Sequence, residues 1–179
     1  MIRNFNSLFE NNETKTFSHY SDGYYFKEEF KYKEICDYVS CTVYCSQNEE
    51  MTFRGSVDIN LHVNKFINEH LAGFGYLEVP QLNQGNGIGK ALMYDVIKII
   101  HELKEHYSIQ ETIKLSGWLS QADKLNGNWN ISVPLYEKVG KNTETKAEFL
   151  VKDSNFTTHY ATEFLKNAGE SDGTVTYYI

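Results

Sequence analysis

Between Leu77 and Met93 the chain reads LEVPQLNQGNGIGKALM, with glycines at 85, 87 and 89 where a strand-like run gives way to a long helical pattern. The first amides of a helix have no partner within it, and together with the helix dipole they favour an anion, a pyrophosphate above all. Glycine adds close access, because no Cβ keeps phosphate oxygens off the backbone. Two widespread phosphate loops do not fit. A Walker A loop needs glycine five positions before its Gly-Lys pair and Ser or Thr after it, and those positions hold Gln84 and Ala91. A dinucleotide G-x-G-x-x-G needs a third glycine where Lys90 stands.

The pattern the residues do fill is Q-x-x-G-x-G, with Gln84, Gly87 and Gly89, preceded by Leu77-x-Val79. In this the chain resembles the acyl-CoA loop of the GNAT superfamily of N-acetyltransferases. The resemblance implies acetyl-CoA as cosubstrate. Its pantetheine arm would run along the backbone of Leu77 and Val79, and its pyrophosphate would lie in the loop formed by Gln84, Gly85, Asn86, Gly87, Ile88, Gly89 and Lys90. Further on, Ser132, Leu135, Tyr136, Lys138 and Gly140 fall in register with the family's N-x-x-A/S-x-x-L-Y-x-K-x-G element. Trp129 stands where the asparagine belongs, with Asn128 and Asn130 on either side, and Lys141 replaces a frequent phenylalanine. Asn130 is the cofactor contact expected there. By resemblance, Tyr136 would serve as acid to the departing thiolate, a role suited to a phenol that can donate a strong hydrogen bond.

Acetyl transfer also needs a base for the ammonium proton. Glu78, inside the cofactor strand, is the first candidate, and Asp58 and His62 on the preceding strand are the others. Cys41 and Cys45 share a strand face and Cys36 lies on the other, a spacing that suits no zinc site. No metal is expected. His101 and His106, on or just past the long helix, read as surface residues.

These groups need elements to hold them. Ile35–Ser46 and Met51–Val63 alternate with period two and predict an antiparallel strand pair. The segment at 64–73 reads as a short helix or connector closed by Gly73, and FGYLEV at 74–79 as a strand. Ile88, Ala91, Leu92, Val96, Ile99, Ile100 and Leu103 recur at helical steps and predict an amphipathic helix of about five turns. A strand follows over Thr112–Ser120. A second helix is expected from Ser132 or Val133, with Pro134 in its first turn and Gly140 just past its end. AEFLV, HYATEFLKNAG and GTVTYYI predict strand, helix and strand. Residues 1–34 follow no clean period and stay unassigned. The polar segment Gln121–Trp129 reads as a loop, with Asp123 and Trp129 available to a cationic acceptor.

At 179 residues, 41% of them hydrophobic and 23% charged, one domain over 1–179 is expected. Its class is α/β with an α+β mixed sheet: by resemblance, a central, mostly antiparallel sheet with flanking helices. A net charge of -7 disfavours nucleic acid, whose binding needs clustered cations. No run of 18 apolar residues predicts a membrane span. No signal-like apolar segment opens the chain, and three cysteines suit reduced thiols in a cytoplasmic setting. The partner implied by the resemblance is a small-molecule or peptide amine; a homodimer stays open.

Overall fold

Asp22 and Gly23 both take positive φ, 52° and 87°, the pattern of a two-residue hairpin turn that suits the strands' right-handed twist. They join β1 (Lys15–Ser21) to β2 (Tyr24–Lys33), so residues 15–33 of the unassigned N-terminal region form a hairpin. The computed structural model describes Arg3, Phe5 and residues 14–34, 37–52, 54–63 and 70–179. Among these are nine strands and four helices, which fits the α+β class. They fall into two compact units, Met1–Ile113 and Lys114–Ile179.

In the first unit β2 pairs with β3 (Tyr38–Ser46), β3 with β4 (Gly55–His62) and β4 with β5 (His70–Phe74), all antiparallel. The expected β3–β4 pair is therefore present. The segment predicted as helix or connector is instead a strand from His70 onward, and its residues 64–69 lie outside those described. One face of this sheet buries Phe26, Phe30, Val39, Cys41, Val43, Val57, Ile59 and Leu61. Helix α1 (Ile88–His106) buries the predicted stripe, Ile88, Ala91, Leu92, Val96, Ile99, Ile100 and Leu103, and packs on β3 and β4. Each of the valine, leucine and isoleucine side chains in that stripe contributes about 1.5–3 kcal/mol on burial. Gly55 sets how closely the start of the helix can approach. A Cβ there would meet Ile88 Cγ2 at 2.7 Å and the Glu78 carbonyl at 3.0 Å.

The second unit orders its strands β6 (Ile113–Leu119), β9 (Gly173–Tyr178), β7 (Ala147–Val151) and β8 (Phe156–Thr158), again antiparallel. Helices α3 (Trp129–Asn142) and α4 (Ala161–Asn167) pack on β7. Both ends of α3 differ from expectation. It starts three residues before Ser132, so Pro134 is an interior residue whose missing N–H leaves out the bond to the Asn130 carbonyl. It also runs past Gly140 to Asn142. Gly140 is there for close packing, since a Cβ would stand 2.5 Å from the Ala147 amide nitrogen. Gly140→Ala should therefore destabilise the protein by about 1–3 kcal/mol through overpacking, despite alanine's better helix propensity. A thermal melt tests this: an unchanged or raised Tm would show that the backbone around Ala147 yields.

The segment Gln121–Trp129, expected to be a loop, begins with helix α2 (Gln121–Leu125). Ser120 caps it by accepting from the Asp123 amide at 3.2 Å, while the Ser120 hydroxyl donates to Asp123 Oδ2 at 2.8 Å. Serine followed three residues later by a carboxylate is a helix-start signal of the capping-box kind. No helix among the described residues is long and apolar enough to cross a membrane.

Candidate functional site

The edge of β4 shows how the backbone before the glycine loop is shaped. Ile59 faces Phe74, but Ser56 faces Glu78. Three steps along β4 are thus matched by four on its partner, and the extra residue makes a β-bulge within Gly75–Leu77. Gly75 still donates to the Asp58 carbonyl at 2.7 Å, and Glu78 exchanges both backbone hydrogen bonds with Ser56 at 2.9 Å. Among the described residues the amides of Tyr76, Leu77 and Val79 donate no backbone hydrogen bond. The strand predicted over 74–79 is therefore tied down at its two ends and open between them.

After Val79 and Pro80 the chain makes one 3₁₀ turn, Gln81–Asn83. The Gln84 side chain reaches back to donate to the Val79 carbonyl at 3.3 Å, linking the motif glutamine to the strand. Gly85 and Gly87 take φ of 83° and 77°, a conformation glycine adopts without a Cβ penalty. Gly87 is the N-cap of α1, and no side chain caps the helix. Its first backbone bond runs from the Ala91 amide to the Gly87 carbonyl at 3.0 Å. The amides of Ile88, Gly89 and Lys90 thus have no backbone acceptor among the described residues. Three donors at the positive end of a 19-residue helix suit an anion. Lys90 is half-buried, with its ammonium 5.7 Å from the centre of the Tyr94 ring.

Of the base candidates, Glu78 is exposed. Asp58 and His62 share a face of β4; Asp58 accepts from the Thr42 hydroxyl at 2.6 Å, and His62 packs edge-on against Tyr38 at 5.1 Å. Cys41 and Cys45 are buried on one face as expected. Burial pushes Cys45 up to about 12 and Cys41 well above its ordinary value, so neither is a nucleophile at neutral pH. Cys36 lies outside the described residues.

In the second unit Tyr136 and Asn130 both stand on α3. Asn130 is exposed, whereas Tyr136 is 6% exposed. The Tyr136 carbonyl accepts from the Tyr177 hydroxyl at 3.0 Å, which fixes this turn of helix to β9. Trp129 does not take the acceptor-binding role expected of it. It is 1% exposed, its ring packs on Phe164, and the chain's own Lys124 lies 5.4 Å from its ring centre. Asp123 likewise serves Ser120 and, at 3.2 Å, the Asn128 amide group.

No family model, curated protein or solved structure matches this chain.

The first unit also holds a polar cluster that no sequence motif announces. Arg3 donates to both oxygens of Glu28 at 2.5 and 2.6 Å, to Asp95 at 2.7 Å and to Glu102 at 2.8 Å. His19 adds a contact to Glu28 at 3.2 Å and stacks on Phe26. His19, Glu28 and Asp95 could converge on a metal ion, but the guanidinium already takes Glu28 in two-pronged fashion, as a planar cation does. The cluster is accordingly an ion network with its cation built in. Burial works against the charge of Glu28, yet the hydrogen bonds of Arg3 and His19 outweigh it and hold the carboxyl at about 2. Burial, and then the neighbouring Glu28 charge, push Asp95 up to about 7. Asp95 Oδ2 is buried without a hydrogen-bond partner among the described residues. His106, expected at the surface, is half-buried against the Phe5 ring at 5.5 Å, while His101 is exposed.

Proposed function

We propose that this protein is an acetyl-CoA-dependent N-acetyltransferase of the GNAT type, acting on a primary amine. The observation that carries the reading is the run of unpaired amides at Ile88, Gly89 and Lys90, reached through two positive-φ glycines. That donor set suits a pyrophosphate. The bulged segment before it supports the same reading, because the open amides at Leu77 and Val79 can pair with the amide-bearing pantetheine arm. Two motif residues add support: Gln84 is tied to the Val79 carbonyl, and Gly87 takes positive φ at the N-cap of α1.

In the proposed reaction the neutral amine attacks the thioester carbonyl carbon, a C–N bond forms and the C–S bond breaks. A backbone amide of the bulged segment would polarise the carbonyl oxygen. The amine's proton leaves to Glu78 or to water, and Tyr136 would donate to the departing thiolate. The burial of Tyr136 favours one second reading, a protein that binds acyl-CoA without transferring the acyl group.

Calorimetry with acetyl-CoA and a free-thiol assay with pooled amines separate these readings. An acetyltransferase is expected to bind acetyl-CoA saturably and to release thiol faster when polyamines, amino acids or amino sugars are added. Binding without amine-stimulated release would favour the silent binder. Absence of saturable binding would overturn the loop assignment itself.

A further inference from the structure

The β1–β2 hairpin places one side chain on the glycine loop. Tyr24, the first residue of β2, donates its phenolic hydrogen to the Asn86 carbonyl at 2.8 Å. The same oxygen stands 2.5 Å from where a Cβ on Gly87 would lie, so the phenol rests directly on the αL glycine. The contact joins residues 62 apart in sequence, and the Asp22-Gly23 turn is what brings Tyr24 there.

The carbonyl that Tyr24 takes matters for the loop. Asn86 is four residues before Lys90, so its oxygen is the acceptor the Lys90 amide would use if α1 began one residue earlier. That bond is absent, and the first one made is Ala91 to Gly87. Were Asn86 to join the helix, one of the three free donors would be lost and the anion cradle would shrink to two. The absent Cβ at Gly87 has a second role here. It leaves room for the phenol as well as permitting positive φ.

We propose that Tyr24 is a positioning residue for the phosphate loop: by holding the Asn86 carbonyl beside it, it keeps Gly87 in its αL conformation and the Lys90 amide available to the pyrophosphate. This rests on the acyl-CoA reading of the loop. Tyr24 acts through Asn86 and need not touch the ligand.

The test compares two ligands. Tyr24→Phe keeps the ring and removes only the donor. It is expected to raise the Kd for acetyl-CoA about 3- to 10-fold, the range of one lost hydrogen bond. The Kd for S-acetylpantetheine, which has the same arm and no pyrophosphate, should stay within about twofold by the same argument. In the ligand-free state, hydrogen exchange at the Lys90 amide should slow in Tyr24→Phe, because Gly87 can then turn helical and bring the Asn86 carbonyl to it. Equal acetyl-CoA affinity in parent and variant would overturn the role of Tyr24 while leaving the loop assignment standing. Equal weakening of both ligands would overturn it too, as the mark of a general structural loss. Failure of the parent to bind acetyl-CoA at all would instead remove the reading underneath.

Discussion

Arg3→Met should cost about 3–5 kcal/mol of stability, the scale of removing one partner from a buried ion network. Methionine keeps the apolar stem packed, so the loss reports the charge. It would leave Glu28, buried between Phe26 and Phe30 on β2, facing Asp95 with no guanidinium between them. For a chain of this length that loss lowers Tm by roughly 6–20 °C. The network also sets a pH dependence. The folded pKa of Glu28 lies below its ordinary value, so its contribution is complete above pH 4.5 and is lost as pH falls towards 2. The folded pKa of Asp95 lies above its ordinary value, so ionising it costs stability as pH rises from about 4 to about 7. Urea unfolding is therefore expected to show the parent losing stability between pH 5 and 7.5, with Asp95→Asn flatter across that window. An equal slope in both proteins would place the titrating proton elsewhere, and a fall in Tm under 3 °C for Arg3→Met would show that the network is not tight.

Two of the three carboxylates that Arg3 engages carried a readable sign. Asp95 falls on the apolar stripe of α1, between Leu92 and Ile99, and Glu28 alternates in phase with Phe26 and Phe30. A charge in a buried register needs a counter-charge, but nothing in the spacing points to Arg3 as its source. That pairing is a matter of tertiary contact. The β3–β4 pair was legible because its apolar period runs unbroken, and the long helix because apolar residues recur at helical steps on both sides of Asp95. The β1–β2 hairpin had a local signal in Asp22-Gly23, masked by aromatic residues on both faces of both strands. Pro134 and Gly140 depart from expectation for one reason: both residue types prefer helix termini, yet here tertiary packing holds them inside α3. In the folded chain Pro134 costs α3 one bond, and Gly140 makes room for Ala147. Trp129 misled differently, since an indole in a polar stretch reads as exposed until Phe164, far along the chain, covers it. Both positive-φ positions of the loop, Gly85 and Gly87, are glycines, as a turn of that kind favours. The Tyr24 contact had no local signal.

Tyr136→Phe is the substitution on which the chemistry, rather than the binding, turns. If the phenol donates to the thiolate as the C–S bond breaks, its contribution exists in the transition state and hardly at all in the acetyl-CoA complex. The variant should then lose about 10- to 1000-fold in kcat while its Kd for acetyl-CoA stays constant. Because Tyr136 is a buried residue of α3, a control must separate chemistry from packing. Tyr177→Phe provides it. That residue lies wholly inside, where burial raises its pKa well above the ordinary value and keeps it a neutral donor to the Tyr136 carbonyl. Removing its hydroxyl should cost about 1 kcal/mol of stability, the net worth of one hydrogen bond, and change kcat less than about threefold. A large kcat loss in Tyr136→Phe beside a small one in Tyr177→Phe assigns the effect to the Tyr136 hydroxyl. Equal losses would mean that both act through the position of α3, and an unchanged kcat in Tyr136→Phe would return this tyrosine to the core.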